Sequence, residues 1–327
     1  MPTFDTAALQ AASDSLFRPD APHGLSLALV AIQCGEVVFE QYGVQPDTVF
    51  GPGAPVDAET TLISWSMAKS ITHAAVGILV AEQRLDLDAP AAVPSWRGTE
   101  KSAITLQDLL DMRPGLEFVE DYVDDSVSHC IEMLYGTGAD DMAAYAASLP
   151  LAHQPGTHWN YSSGTTNIVA RIVGDVVGGG REGMEAFLRD RLFEPVGMHS
   201  AQPKFDAAGT FVGSSYVYAT ARDFGKFGEL YRNDGMVGST RVLPAGWRDH
   251  ARSFIAHDPD GEFDYGRHWW LWRDRPGSLA CHGYEGQYIV VVPDRELVLV
   301  HLGKSPSELR QPLNEQLTSM INAFPLA

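Results

Sequence analysis

Two strand-turn-strand patterns at opposite ends of the chain constrain its fold more than any other feature of the sequence. β-Rich runs at 25–32 and 37–42 flank a four-residue turn, and runs at 287–292 and 297–302 flank another. Each pattern predicts a hairpin. Between and around the hairpins, apolar residues recur at helical spacing, which predicts helices at 6–16, 66–83, 105–112, 140–148, 165–177, 181–193 and 309–324.

These elements predict an α+β fold in which one central antiparallel sheet gathers both ends of the chain and is flanked by helices. We expect one lobe from residues 1–80 and 200–327, a mostly helical inserted lobe from 81–199, and a functional site between them. A chain of 327 residues is long enough for one large core or two closely joined lobes. The three glycines at 178–180 are expected to end a helix, not to bind phosphate.

Charge and composition exclude several classes of partner. The formal net charge is -19, so the long-range field repels nucleic acid and anionic membrane surfaces. No apolar run is long enough to span a membrane, and residues 1–19 lack the composition of a secretory signal, so we expect a cytoplasmic location. The scattered Cys34, Cys130 and Cys281 suggest neither a disulfide framework nor a zinc motif, and no metal site is predicted.

The first chemical signal is the Ser-x-x-Lys sequence at 66–69. Helical spacing puts Ser66 and Lys69 on the same face, so the amine can approach the hydroxyl, and the helix dipole favours an ionised oxygen there. A capping serine beside a solvated lysine is the alternative. Apolar residues such as Ile71 and Ile78 predict that this helix is buried, and a lysine early in a buried helix indicates a chemical role.

The second signal is Tyr161, in the loop sequence Trp-Asn-Tyr-Ser-Ser-Gly at 159–164. An isolated phenol and an isolated alkyl amine both have a pKa near 10, so each is a poor base unless its surroundings shift that value. An ammonium favours a neighbouring phenolate and desolvation favours the neutral amine, so Lys69 and Tyr161 could share one mobile proton. The alternative is a packing aromatic whose hydroxyl finds a partner.

The third signal is Cys-His-Gly-Tyr-Glu-Gly-Gln at 281–287, which leads into the strand predicted at 287–292. Glycines beside a strand often permit the close approach of a ligand or of another backbone segment. In an acyl-transfer enzyme, the backbone N–H groups of Tyr284 and Ser66 could together form an oxyanion hole. A strand that is entered through a glycine bend explains the segment equally well.

The order Ser-x-x-Lys, Tyr-Ser-Ser and Cys-His-Gly resembles the serine β-lactamase and penicillin-binding-protein family over roughly residues 25–324. The sequence segments 109–116 and 192–198 also resemble this family. The class C-like branch, to which the chain is most similar, holds class C β-lactamases, carboxylesterases, D-alanyl-D-alanine peptidases and 6-aminohexanoate-dimer hydrolases. The resemblance implies a β-lactamase/transpeptidase-like fold without a cofactor, with Ser66 as the acylated nucleophile, Lys69 and Tyr161 as its bases, and Ser66 and Tyr284 as oxyanion donors.

Two departures from the class C pattern shape the expected substrate. Class C enzymes usually carry Tyr-x-Asn and Lys-Thr-Gly, whose amide and lysine contact the acylamino and carboxylate groups of a β-lactam. This chain has Tyr-Ser-Ser and Cys-His-Gly instead. We therefore expect a hydrolase of small-molecule esters or linear amides, with Ser163, His282 and Gly283 binding the substrate, although His282 is equally consistent with a structural role. A β-lactamase, a D-alanyl-D-alanine peptidase, an acyl transferase and a covalent sensor without turnover are the alternatives.

Two further segments give substrate clues, each with a plainer alternative. The acidic stretch 117–125 could attract a cationic group, or it is a solvated loop of an acidic protein. The sequence His-Trp-Trp-Leu-Trp at 268–272 predicts a strand with at least two of its three tryptophans packed, or an aromatic wall for an apolar group. The oligomeric state is not indicated.

Overall fold

Thirteen strands are described in the computed structural model, which covers residues 4–18, 20–48, 51–122, 127–258 and 261–327. Most of them belong to one antiparallel sheet, and the others form small two- and three-stranded sheets. In chain order the strands are β1 (Leu25–Gln33), β2 (Glu36–Tyr42), β3 (Leu62–Ile63), β4 (Gln202–Pro203), β5 (Val217–Ala219), β6 (Met236–Val237), β7 (Thr240–Arg241), β8 (Ala256–His257), β9 (Phe263–Tyr265), β10 (Trp270–Trp272), β11 (Leu279–Gly283), β12 (Gln287–Val292) and β13 (Leu297–Lys304).

The main sheet has eight strands in the order β2-β1-β13-β12-β11-β10-β9-β8. Strand β1 pairs on one side with β2 and on the other with β13, where Leu29 lies opposite His301. The two predicted hairpins are therefore neighbours in one sheet, with β2 at its edge, and the predicted α+β fold is confirmed.

Helices are present at all seven predicted places, with the bounds shifted by a few residues. The described residues also contain four helices that the sequence analysis missed: α4, α8, α9 and α10. In chain order the helices are α1 (Thr6–Leu16), α2 (Ala68–Ala81), α3 (Leu106–Leu110), α4 (His129–Tyr135), α5 (Met142–Ser148), α6 (Ser163–Val177), α7 (Gly180–Leu188), α8 (Glu194–Val196), α9 (Ala221–Arg232), α10 (Trp247–Ala251) and α11 (Arg310–Asn322).

Strand β1 is buried on both faces, which explains its nearly continuous apolar sequence. Leu29 and Ala31 face the layer formed by α1 and α11, whereas Val30 and Ile32 face the larger core that contains α2 and α9. Successive strand residues point to opposite faces, so both layers pack on the same short sequence. The sheet is thereby held between two helical layers.

The segment between the two parts of the sheet is mostly helical where it is described. Strands β1 to β3 precede residue 81 and strands β4 to β13 follow residue 199, whereas α3 to α8 lie between those positions. The division into lobes at these residues stays a prediction. Helix α6 ends at Gly178, whose φ of 80° confirms the predicted glycine turn. In the described part of the chain, no helix has both the length and the apolar character needed to cross a membrane.

Several histidines are buried in this fold, and burial keeps them neutral. It lowers the pKa of His268 to about 3 and that of His301 to about 4. His301 uses both ring nitrogens, because Nδ1 donates to Gly286 O at 2.7 Å and Nε2 lies 2.8 Å from Ser26 Oγ. At a pH where these histidines are protonated in the unfolded chain but neutral in the folded protein, proton binding stabilises the unfolded state and lowers the free energy of unfolding.

We therefore predict that the free energy of unfolding decreases as the pH falls from about 6.5 to about 4. Each buried histidine contributes a slope of at most about 1.4 kcal/mol per pH unit. Urea denaturation across this range measures the slope, and His301→Gln, which keeps a donor and an acceptor but cannot titrate, should reduce it. An unchanged slope in that variant would contradict the assignment.

Candidate active site

Ser66 lies on a 3₁₀ turn, Trp65–Met67, directly before α2. The turn follows β3, which pairs with β5, and Ser64 anchors it by accepting a hydrogen bond from Val217 N at 3.1 Å. Trp65 has a φ of 44°, a left-handed conformation that costs free energy for a residue with a side chain. The serine is thus presented by a sharp, strained turn at the start of a buried helix.

Lys69 is buried, with a side chain that is 2% exposed, and its amine contacts three oxygen atoms. Nζ lies 3.0 Å from Ser66 Oγ, 2.9 Å from Ser163 Oγ and 3.1 Å from Ser214 O. The spacing argument from the sequence therefore agrees with the geometry: the amine reaches the serine hydroxyl three residues away. The three contacts match the three substituent positions of an amine.

Ser163 connects Lys69 to Glu120, which lies in the acidic stretch 117–125 and was not predicted individually as a site residue. Ser163 Oγ donates to Glu120 Oε1 at 2.5 Å, and Ser163 N donates to Glu120 Oε2 at 2.7 Å. Tyr122 OH also donates to Oε1, at 2.6 Å. Because the single hydrogen of the Ser163 hydroxyl goes to Glu120, its oxygen can only accept from Lys69.

Tyr161 is held beside Lys69 by aromatic packing. Its ring packs against Tyr265 and Trp270, with centroids 5.7 Å and 5.4 Å away, and Lys69 Nζ lies 4.8 Å from the ring centre. Burial raises the pKa of Tyr161, and the opposing effects of the Lys69 charge and the Ser66 hydroxyl are smaller. The expected advantage of the phenolate beside an ammonium is outweighed, so Tyr161 is a phenol at neutral pH.

Gly283 brings the third motif close to the serine turn. A Cβ atom at this position would lie 2.4 Å from Ser64 O, so only glycine allows β11 to approach so closely. The next residue, Tyr284, packs its ring edge-on against Trp65 at 5.9 Å. This contact places the Tyr284 backbone beside the Ser66 turn, and the oxyanion hole formed by the two N–H groups stays a prediction.

His282 is packed among aromatic side chains. Its ring stacks on Trp270 at 5.2 Å, and Trp272 Nε1 donates to its Nε2 at 3.2 Å. That hydrogen bond leaves the proton of the neutral ring on Nδ1. Burial lowers the pKa of His282 well below its usual range, so this histidine does not carry a positive charge at neutral pH.

Two cavities open at Ser66. The larger, of about 480 Å³, is lined by residues that include Glu120, Tyr161, His282 and Arg310, and the smaller has about 170 Å³. Both are lined by Ser66 itself. The larger cavity also contains Trp270, whereas Trp269 and Trp272 are buried, as predicted for two of the three tryptophans.

The structure brings most of the predicted site residues together, and it adds Glu120. Ser66, Lys69, Tyr161 and Ser163 form one contact network, while His282, Gly283 and Tyr284 line the larger cavity. The predicted substrate contact of Ser163 is restricted, since its hydrogen is already donated. Within the acidic stretch, Glu120 points into the site, Glu117 is exposed, and Asp124 and Asp125 lie outside the described residues.

Comparison with known proteins identifies one family along most of the chain. The Beta-lactamase sequence profile matches residues 14–317. The 6-aminohexanoate-dimer hydrolase of Paenarthrobacter ureafaciens is 27% identical over 261 residues, which cover 74% of this chain and 65% of that protein. The chain thus spans less than two thirds of the length of this curated relative.

Solved structures show the same fold. A family VIII carboxylesterase superposes with a TM-score of 0.76 at 16% identity and covers 98% of both chains. A class C β-lactamase in complex with cefoxitin superposes with a TM-score of 0.70 at 15% identity, over 97% of this chain and 99% of that chain. At these identities the similarity shows the fold alone.

Proposed function

The chain belongs to the Beta-lactamase family of serine hydrolases, and on this premise we propose that it hydrolyses small-molecule esters or linear amides through an acyl-enzyme on Ser66. One observation carries the proposal: the buried Lys69 amine lies 3.0 Å from Ser66 Oγ at the edge of two cavities. A hydroxyl becomes a useful nucleophile when an adjacent base takes its proton. The name of the curated relative, a hydrolase of an amide-linked dimer, supports the amide part of the proposal.

In the proposed acylation step, Ser66 Oγ attacks the substrate carbonyl carbon while its proton passes to the Lys69 amine. The carbonyl oxygen becomes an oxyanion, which the N–H groups of Ser66 and Tyr284 stabilise. Two positions of Nζ are occupied by Ser163 Oγ and Ser214 O, which both accept from it. The remaining position, which holds the lone pair in the neutral amine, faces Ser66.

Collapse of the tetrahedral intermediate breaks the bond to the leaving group, which needs a proton. The phenol of Tyr161 donates it, since burial keeps this group protonated, and the phenol regains a proton from the Lys69 ammonium. A water molecule then enters the larger cavity, transfers a proton to the same pair of residues and attacks the acyl carbonyl. Collapse of the second tetrahedral intermediate breaks the bond between the acyl carbon and Ser66 Oγ, which takes the proton back from the Lys69 ammonium, and the acid leaves.

The third motif supports esters and linear amides over β-lactams. At the position where class C enzymes carry the lysine of Lys-Thr-Gly, this chain has the buried Cys281. The next residue is His282, whose neutral ring offers one N–H group and no charge. A substrate carboxylate would gain a neutral hydrogen bond there, which is weaker than a charge-assisted one. Cytoplasmic location stays a prediction.

The first prediction concerns Ser66. Purified protein should hydrolyse short-chain p-nitrophenyl esters or a linear aminoacyl amide, and cleave nitrocefin only slowly. Ser66→Ala should abolish turnover while the circular dichroism spectrum and the melting temperature remain those of the wild type.

Other results of these ester, amide and nitrocefin assays would point to other functions. Equal ester or amide turnover in the Ser66→Ala variant would refute the nucleophile. Fast nitrocefin cleavage would identify a β-lactamase instead. Mass spectrometry that shows a stable acyl adduct on Ser66 without turnover would identify a covalent sensor.

The second prediction separates the two proton-handling residues. Lys69→Ala should reduce kcat/KM for esters and amides alike, by about 10²–10⁴-fold, because attack by Ser66 requires the amine in both reactions. Tyr161→Phe should reduce amide hydrolysis by a similar factor but p-nitrophenyl ester hydrolysis much less, since p-nitrophenolate leaves without a proton. Equal losses for both substrates in Tyr161→Phe would argue against the proposed donor.

A further inference from the structure

The two cavities at Ser66 differ in size and chemistry, although they share a boundary. Tyr122 and Tyr284 line both of them, and their ring centroids are 5.1 Å apart. The larger cavity contains charged and polar side chains, among them Glu120 and Arg310. A carbonyl group attacked by Ser66 has two substituents that diverge from it, so a substrate extends in two directions.

The smaller cavity is lined mainly by apolar groups. Its lining includes Ile131, Leu134 and Tyr135 of α4 and Trp65. Burial raises the pKa of the Cys130 thiol, which also lines the cavity and is neutral there. Its polar lining residues are already hydrogen-bonded: Ser163 Oγ donates to Glu120 and Ser215 Oγ pairs with Ser214 Oγ at 2.8 Å. An apolar group therefore fits this cavity better than a polar one.

The volume of about 170 Å³ limits what the smaller cavity can hold. A buried apolar cavity of about 150 Å³ holds one benzene ring, so a group of about four to six carbons matches the space. A longer chain would extend past the exposed Tyr135 into solvent, where its further carbons would gain no burial.

The position of Tyr161 determines which half of the substrate enters which cavity. Tyr161 lines the larger cavity and not the smaller. A donor that protonates the leaving group must lie on the side of that group, and the deacylating water needs the space that it vacates. The acyl group must then extend the other way.

We propose that the smaller cavity is an acyl-binding site that selects a short apolar acyl chain, while a polar leaving group occupies the larger cavity. The proposal rests on the proposed function and names its substrate class: esters or amides of apolar acids of about four to six carbons. Ile131, at the wall of the site and only partly buried, is the residue that tunes the length limit.

Two substrate series test this proposal. In the first, p-nitrophenyl esters share a leaving group and their acyl chains run from two to twelve carbons. Wild-type kcat/KM should rise with chain length to a peak at about four to six carbons and gain nothing from further carbons. In the second series, the best acyl group is fixed and the leaving group varies in size and polarity.

Variants of Ile131 separate the two cavities. Ile131→Ala should move the peak of the acyl series to longer chains, and Ile131→Trp should move it to two carbons, with the leaving-group series unchanged. Arg310→Ala, in the larger cavity, is the matched control: it should alter the leaving-group series and keep the acyl peak. If Ile131→Trp fails to fold, Ile131→Ala still decides the point.

The outcomes distinguish failure of the acyl-site proposal from failure of the proposed hydrolase function on which it rests. Ser66-dependent turnover with a flat acyl profile, or Ile131 variants that change the leaving-group series, would overturn the acyl site and leave the hydrolase intact. Absence of Ser66-dependent turnover with every ester and amide would overturn both.

A second, independent observation concerns Glu120, which does not contact Ser66 or Lys69 by any hydrogen bond among the described residues. Its carboxylate accepts from Ser163 N, Ser163 Oγ and Tyr122 OH, and also from the Cys130 thiol at 3.6 Å. As an acceptor, it fixes the direction of the Ser163 hydroxyl, and that direction obliges Lys69 to donate to Ser163. Ser214 O, a carbonyl, obliges Lys69 to donate as well.

We infer that Glu120 is a positioning residue, which acts through Ser163 to aim the lone pair of the Lys69 amine at Ser66. The inference rests on the proposed role of Lys69 as the base. With glutamine at position 120, an NH₂ group facing Ser163 Oγ would reverse that hydroxyl. Ser163 would then donate to Lys69 and draw the lone pair away from Ser66.

The test is a double-mutant cycle that measures kcat and KM separately. Glu120→Gln and Ser163→Ala should each lower kcat about 10- to 100-fold with little change in KM, and the double variant should lose no more than either one, because both break the same connection. Glu120→Asp, which keeps a carboxylate acceptor, should retain more of kcat than Glu120→Gln does.

Tyr122→Phe is the matched control, because it removes a donor to Glu120 and leaves both Ser163 bonds. It should change KM, since Tyr122 lines both cavities, without the loss of kcat of about 10- to 100-fold expected for Glu120→Gln. Additive losses in the cycle, or equal losses of kcat in Glu120→Asp and Glu120→Gln, would show that Glu120 supports the fold and does not position the base.

Discussion

The buried amine of Lys69 is the constraint on which the rest of this site depends. A lysine that is 2% exposed is unfavourable unless polar atoms replace the water around it. Here the oxygen atoms come from three separate segments: the turn before α2, the start of α6, and the segment before β5. No single element can provide all three, so the fold must bring these segments together to within hydrogen-bond distance at once.

Close backbone approach makes that convergence possible. Ser214 can offer its carbonyl to Lys69 because residue 213 lies against α2, where Thr72 Oγ1 donates to Gly213 O at 3.0 Å. A Cβ atom at position 213 would come within 2.3 Å of the same hydroxyl. The segment is therefore tied to α2 by a contact that only glycine permits. Gly283 brings β11 to the Ser66 turn in the same way, so Ser66, Lys69 and the third motif are fixed relative to one another by backbone packing.

Local patterns predicted the parts of this structure that local physics determines. Alternation and turn residues predicted both hairpins, and helical spacing placed Ser66 beside Lys69. The role of Glu120 could not be predicted, because the acidic residues of its stretch look alike in sequence and only tertiary packing turns one of them inward. Helix α4 was missed as well, although the Ser128 side chain caps it and could have been recognised as a helix start. The smaller cavity, which residues of α4 line, could therefore not be predicted from the sequence.

The replaced lysine and the inward carboxylate act in the same direction on substrate choice. His282 is neutral because burial lowers its pKa, so the third motif supplies no fixed positive charge. Glu120 adds a carboxylate to the lining of the larger cavity, and Arg310 is exposed there, where solvent and salt weaken its attraction. A substrate carboxylate in this cavity would thus meet repulsion from Glu120 and no positively charged residue in the third motif, whereas an uncharged ester or amide would meet no such repulsion. The charge arrangement discriminates by excluding the wrong substrates, and the apolar wall near Ile131 then selects among those that remain.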